Sequence, residues 1–303
     1  MKTLNRRQFV QQASLLAGTT FLPSTLISAQ KKRGKNAMQL SLAAYSFRNY
    51  FRFMKGKTHK FEEPEMTMYD FIDFCANHHC AGTELTSYFF PADADANYFK
   101  KIKQHAANKK IAISGSAVGN NFSLPHGEAR NAQITYVKEW IDNSKIMGAP
   151  HIRIFAGKEP KGMSADEADR LVVEALIDCC EYAGRHRIKL GLENHDSIGN
   201  AERLIGLIDK VKSPWLGINL DSGNFRTKDP YKDFERCAPY AVNVQLKVEL
   251  QPLGGKKEPA DLKRLVKLLR QAKYDGFVAL EYEAKENPYE AVPGILKEIG
   301  KLL

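Results

Sequence analysis

From Met38 onward the chain alternates short apolar, β-branched runs with longer stretches of helical periodicity, and it does so eight times. That alternation constrains the fold more than any other feature, because strands separated by helix-length crossovers must lie parallel. The strand candidates are 39–45, 82–87, 111–116, 151–155, 189–193, 215–220, 241–247 and 277–282. Helices are expected at 66–77, 97–108, 128–147, 165–185, 201–211, 231–237, 260–272 and 288–302. Start and stop signals support several of these, including Ser164 before Ala-Asp-Glu, Gly148-Ala-Pro after Met147 and Pro259 before Ala260. Eight units in about 270 residues match the size of a (β/α)8 TIM barrel. A doubly wound sheet is the competing topology, but no glycine-rich phosphate turn follows the first strand. No internal repeat or long linker divides the domain.

The first thirty residues follow a different logic. Arg6-Arg7 precede a mostly small or apolar run, Ala13 to Ile27, and Ser28-Ala29-Gln30 follows it. A charged start, a short apolar middle and small residues at the end describe an export signal, and the paired arginines resemble the twin-arginine type. The reading assigns residues 1–29 to this signal and 30–303 to the barrel. A membrane anchor is the alternative, but the run is shorter than the ~20 apolar residues a spanning helix needs. Without Lys2, Arg6 and Arg7 the formal charge falls from +10 to +7, and the remaining excess is scattered over helices. A solvated basic surface, with no nucleic-acid partner, is therefore expected. Five cysteines, two of them adjacent at Cys179-Cys180, make no disulfide framework. This suits a protein folded in a reducing cytoplasm before export to the periplasm or medium, with any cofactor loaded there.

In a barrel of this kind, chemistry belongs at the C-terminal ends of the strands. Those ends in the second half carry Glu193 in "GLENH", Asp221 in "GINLDSGNF", Gln245 in "NVQLKVE" and Glu281 in "ALEYE". Alternation along a strand puts Glu193 on one face with His195, Gln245 with Lys247, and Glu281 with Glu283. Any one of these acids alone reads as a solvated turn or a helix cap. Gathered at one mouth, three carboxylates and an amide oxygen repel one another unless a cation sits among them, and a divalent metal meets that need.

The motifs "ENH", "NLDSGNF", "VQLKVE" and "LEYE", with "GTELTSYF" and "YVKEWIDNSKIMGAPHIRIFAG" upstream, resemble the xylose isomerase-like TIM-barrel superfamily, in particular its sugar phosphate isomerase/epimerase group. The likeness spans nearly the whole chain after the signal. It implies a divalent metal held by the equivalents of Glu193, Asp221 and Glu281 together with a strand-seven histidine, whose position Gln245 takes here. An all-oxygen set Glu193, Asp221, Gln245 and Glu281 favours Mn2+ or Mg2+ over Zn2+. The implied reaction is isomerisation or epimerisation of a carbonyl sugar or keto-glycoside through a metal-bound enediolate. Glu193 and Glu281 then move the proton and Lys247 steadies the developing charge. His195, Arg153 and Glu84 are the candidate hydroxyl contacts, an internal salt bridge being the alternative for Arg153. The aromatic, basic stretch from Arg48 to Glu65 is a candidate lid, with a mobile surface loop as the equal alternative.

Export favours free or oxidised sugars over phosphorylated ones. The expected partners are a small sugar, the twin-arginine machinery and, compatibly with the sequence, further copies of the chain; a membrane enters only through an uncleaved signal. Three rival classes remain in view. A lyase or dehydratase would use the same site on a substrate with a leaving group β to the acidified carbon. A non-catalytic exported sugar-binding protein would keep the barrel without its chemistry. An endonuclease IV-like nuclease would need strand-end histidines for three zinc ions, and the predicted strand ends supply only His195.

Overall fold

The computed structural model describes residues 38–59 and 65–303. The export segment read at 1–29, and part of the candidate lid, lie outside the described residues. Eight parallel strands close into a barrel: β1 Gln39–Ala43, β2 Gly82–Thr86, β3 Ala112–Ala117, β4 His151–Ile154, β5 Lys189–Glu193, β6 Leu216–Asp221, β7 Ala241–Leu246 and β8 Phe277–Leu280. Each strand pairs with its neighbour in sequence, and β1 closes the ring on β8 with Gln39 opposite Phe277. The expected (β/α)8 architecture is the one observed.

Helices α1 Met68–Asn77, α2 Ala96–Asn108, α3 Glu128–Met147, α4 Ala165–His186, α5 Ala201–Val211, α6 Pro230–Cys237, α7 Leu262–Gln271 and α8 Pro288–Leu302 follow the strands in turn. Most begin at a side-chain cap. Thr67 and Asp70 form a reciprocal capping box on α1, and Asp95, Ser164, Asn200, Asp229 and Asp261 each accept from a first-turn amide. Caps of this kind are worth about 1 kcal/mol each. The apolar core lies between barrel and helices, where Phe71, Phe99, Leu176, Leu204, Phe234, Leu265 and Leu296 are buried against the outward faces of the strands. All five cysteines are buried and free, in accord with the expected absence of a disulfide framework. No helix among the described residues is long and apolar enough to cross a membrane.

The inside of the barrel is polar, where many TIM barrels stack branched aliphatics. Near its lower end Ser41 and Ser114 share a 2.7 Å hydrogen bond, and His151 Nδ1 lies 3.0 Å from the Ser114 carbonyl. Gly115 makes room for that histidine, since a Cβ there would meet the imidazole at 1.8 Å. Burial pushes His151 down to about 4, so it is neutral. Above it lies a layer of amides around one carboxylate. Asn243 and Gln245 donate to the two oxygens of Glu84 at 2.6 Å each, while Asn219 donates to Gln245 Oε1 at 2.7 Å. A register shift between β6 and β7 at Ile218/Asn219 brings Asn219 level with Asn243, whose amide donates to it at 2.8 Å.

Candidate active site

The strand ends place the acids, and short backbone bridges fix them. Asn194, fully buried, donates to the Asp221 carbonyl and accepts from the Asp221 amide, which locks the end of β5 to the end of β6. Ser222 accepts from the Lys247 amide, while its own amide donates to the Gln245 carbonyl. Ser46 likewise accepts from the Tyr282 amide and donates to the Leu280 carbonyl, tying the end of β8 to the end of β1. Glu193, Asp221, Lys247 and Glu281 are therefore mounted on rigid elements.

A cavity of about 480 Å³ opens on this rim. Its floor carries Arg153, Glu193, Asn224, Lys247, Glu281 and Glu283, and its walls carry Tyr45, Tyr88, Phe155, His195 and Arg226. Arg153 Nε lies 2.9 Å from Glu193 Oε2 with both side chains buried, and Arg153 Nη1 donates to the Val118 carbonyl. Its guanidinium also stacks over Phe155 at 4.1 Å, while His195 leans on the same ring. Arg153 thus pairs inside the barrel and also lines the cavity. The Glu193 carboxylate is filled on its second side by Asn224 Nδ2 at 2.8 Å.

Lys247 stands among the remaining acids. Its Nζ is 2.5 Å from Glu283 Oε2, 3.2 Å from Asp221 Oδ2 and 3.3 Å from Asn224 Oδ1. Burial alone would lower the lysine, but Asp221, Glu281, Glu283 and Glu193 outweigh it and hold the ammonium firmly protonated. Burial lifts Asp221 to about 6 against the pull of Lys247. It lifts Glu281 well above the usual carboxylate range, with Asp221, Glu193 and Glu283 adding to the effect. Glu283, in spite of its own burial, is held low by Lys247, Arg48 and Lys257. Lys247 offsets part of this crowded negative charge, and Arg153 pairs separately with Glu193. Only 6% exposed, Glu281 lines the cavity, held in place by its backbone amide, which donates to the Leu246 carbonyl at 2.9 Å.

The expected site residues separate into two levels. Glu193, Glu281, Lys247, His195 and Arg153 come together around the cavity, with Asp221 directly beneath Lys247. Glu84 and Gln245 do not join them. Both lie buried in the amide layer, where Gln245 donates to Glu84 and accepts from Asn219, so neither the expected sugar contact Glu84 nor the expected metal ligand Gln245 lines the cavity. The physical reason is the stagger of a tilted barrel, which sinks Gln245 one layer below Lys247 on the same face. As the donors stand, they do not fit a four-ligand divalent centre. Gln245 is spent on Glu84 and Asn219, Glu193 on Arg153 and Asn224, and Asp221 Oδ1 on the Gly223 amide, while the buried Asp221 Oδ2 makes no hydrogen bond and has the Lys247 ammonium 3.2 Å away. Among the described residues no three His, Cys, Asp or Glu side chains form a group able to hold an ion.

Several side chains that line the cavity are not singled out by the sequence. Asn224 stands inside the "DSGNF" turn, three residues past Asp221, and that proximity was its available signal. Tyr45 and Tyr88 sit just after β1 and β2 and look like ordinary core aromatics in sequence. The candidate lid is partly realised: residues 53–54 and 57–58 pair as a short ribbon, and Met54 and Lys55 close one side of the cavity. The Lys55 amide donates to the Tyr88 carbonyl, and its ammonium lies 5.5 Å from the Tyr88 ring centre.

Comparison with known proteins agrees with this architecture. No curated protein matches the chain by sequence. Among solved structures, it is similar to 3-keto-D-glucoside 4-epimerase from E. coli, at 14% identity and a TM-score of 0.65 over 87% of this chain and 99% of the other. It is similar to a D-psicose 3-epimerase determined in the presence of D-fructose, at 14% identity and a TM-score of 0.66 over 86% and 89%. A xylose isomerase-like TIM barrel protein from Mycobacterium smegmatis, in complex with magnesium, aligns at 15% identity and a TM-score of 0.67 over 88% and 96%. The sequence model of the xylose isomerase-like TIM barrel family matches residues 69–299, from α1 to α8, and the chain belongs to that family.

Proposed function

We propose that the chain is an exported sugar isomerase or epimerase that acts on a carbonyl sugar or keto-glycoside by moving a proton through an enediolate. The observation that carries this reading is Glu281, a buried carboxylate that lines a sugar-sized cavity together with the Lys247 ammonium. A general base works best when its pKa lies near the operating pH, and burial moves Glu281 in that direction. The epimerases among the structural relatives support the substrate class.

The steps follow from the side chains. Tyr45, Tyr88 and Phe155 offer flat apolar faces to a sugar ring, while Arg153 and His195 offer donors to its hydroxyls. With the carbonyl oxygen towards Lys247, Glu281 takes the proton from the adjacent carbon, and the electron pair of that C–H bond passes to the oxygen. The enediolate that forms is held by the Lys247 ammonium. For isomerisation Glu281, now protonated, returns the proton to the neighbouring carbon while the hydroxyl proton passes across to the former carbonyl oxygen; for epimerisation the proton is delivered to the opposite face of the same carbon, a step assigned to the Glu193 side of the cavity. A lysine held as an ammonium is no nucleophile, which sets carbonyl addition by Lys247 aside. Glu193 is fixed by Arg153 and Asn224, and it serves as an oriented acceptor for a substrate hydroxyl. A divalent ion, part of the expectation from the family, is left out of these steps because the resting donors are engaged. The twin-arginine route to the periplasm belongs to this proposal and rests on the sequence of residues 1–29.

Solvent-deuterium incorporation into a panel of free keto-sugars and 3-keto-glycosides tests the reading. Wild-type protein is expected to label the carbon next to the carbonyl, and Glu281→Gln to lose at least about a hundredfold in rate, as expected for a general base. A product lacking a β-substituent would identify a lyase on the same site. Tight sugar binding without labelling would identify a binding protein and defeat the proposal.

A further inference from the structure

The disagreement between the expected metal ligands and their actual partners leads to a specific assignment for Lys247. We infer that Lys247 is the resident cation of this site, bridging Asp221 and Glu283, and that the chain holds these strand-end carboxylates together without a bound metal. This inference rests on the proposed sugar chemistry for its purpose but not for its proof.

Four observations carry it. First, Nζ reaches two different carboxylates, Asp221 at 3.2 Å and Glu283 at 2.5 Å, on two different strand ends, which is the bridging task of a metal. Second, the position is built: Ser222 Oγ anchors the Lys247 amide at 2.8 Å, and Asn224 Oδ1 takes a further ammonium contact at 3.3 Å. Third, the backbone beside it is bare. A Cβ on Gly223 would stand 2.7 Å from Lys247 Cδ, so the stem passes where most residues would block it. Fourth, the other cation of the floor, Arg153, holds Glu193 at 2.9 Å, and Gln245 spends its amide in the layer below.

The electrostatics follow directly. A divalent ion entering among Asp221, Glu281 and Glu283 would meet a like charge already in contact with two of them, so binding would require expelling the buried ammonium. Removing the ammonium while keeping its hydrocarbon stem reverses the situation. The acids would then lack a cation, and a hard divalent ion would be the natural replacement.

The test is Mn2+ binding, read by calorimetry and by the loss of free-ion EPR signal, on chelator-stripped wild type, Lys247→Met and Lys247→Arg. Wild type and Lys247→Arg are expected to show no stoichiometric site tighter than about 1 mM. Lys247→Met is expected to bind one Mn2+ per chain at least about tenfold more tightly. If Lys247→Met does not fold, the wild-type titration decides alone. One Mn2+ per chain bound by wild type at about 10 μM or tighter, or equal affinity in wild type and folded Lys247→Met, overturns the assignment. Because these readouts contain no sugar, they can fail while deuterium labelling succeeds, and the reverse.

Discussion

At position 223 a missing side chain decides where Lys247 sits. A methyl group there would fall 2.7 Å from Lys247 Cδ and 3.0 Å from the Glu249 carbonyl, closer than real Cβ contacts allow. Gly223→Ala is therefore expected to push the ammonium off Asp221. Overpacking of this kind costs about 1–3 kcal/mol, and urea denaturation would measure it. The labelling rate should fall by at least about tenfold, the equivalent of 1.4 kcal/mol in the barrier, whereas wild-type labelling would contradict the assigned role. Much at this scale was legible: Glu193, Asp221, Lys247 and Glu281 announce themselves as polar groups closing apolar runs. The depth of each side chain was not. Glu84 and Gln245 read in sequence like Glu193 and Lys247, and only the tilt of the barrel sinks them into the amide layer. Tyr45, Tyr88 and Phe155 were illegible as cavity walls because an aromatic after a strand looks the same whether it packs on a helix or on a ligand.

Among the elements, the ribbon from Phe53 to Thr58 is the piece that covers the mouth. Its turn needs Gly56, with φ at 73°, and a Cβ there would meet Ala92 Cβ at 2.9 Å. Gly56→Val is expected to lift the ribbon, raising KM several-fold, and to cost about 1–3 kcal/mol of stability from the strained backbone, read by urea denaturation. An unchanged KM would show that the ribbon does not close on substrate. The strands and helices themselves were readable to within a few residues, since their periodicities differ and their caps are explicit. Helix α7 is the instructive exception: Pro259 looked like its start, but Pro259 belongs to a two-residue ribbon with Glu249–Leu250, and Asp261 caps the helix. Strands of two residues carry no period to detect.

The whole molecule buries several carboxylates whose pKa values are raised, and this gives its stability a sign with pH. Burial pushes Glu84 up to about 7 against Arg153, Gln245 and Asn243, and Asp221 and Glu281 move the same way. A group raised on folding binds its proton more tightly in the native state. The stability it contributes is complete below its unfolded value near 4.5 and is lost as pH climbs to the folded value. For Glu84 alone that loss is about 3 kcal/mol between those limits. The ligand-free protein is thus expected to be more stable at pH 5 than at pH 8, with the buried neutral His151 opposing part of the difference below about 6.5, and Glu84→Gln to flatten the slope by about one proton. A slope of opposite sign in urea titrations would contradict the buried layer as described. At this scale the sequence was most informative, because eight alternating units leave few ways to close a sheet, while the charge balance inside the barrel depends on contacts no pattern encodes. The account turns on one carboxylate moving one proton, so the most direct measurement is deuterium labelling of a keto-sugar by Glu281→Gln and Glu283→Gln side by side. The account predicts that Glu281→Gln is silent while Glu283→Gln still labels. Labelling by Glu281→Gln at the wild-type rate would contradict it.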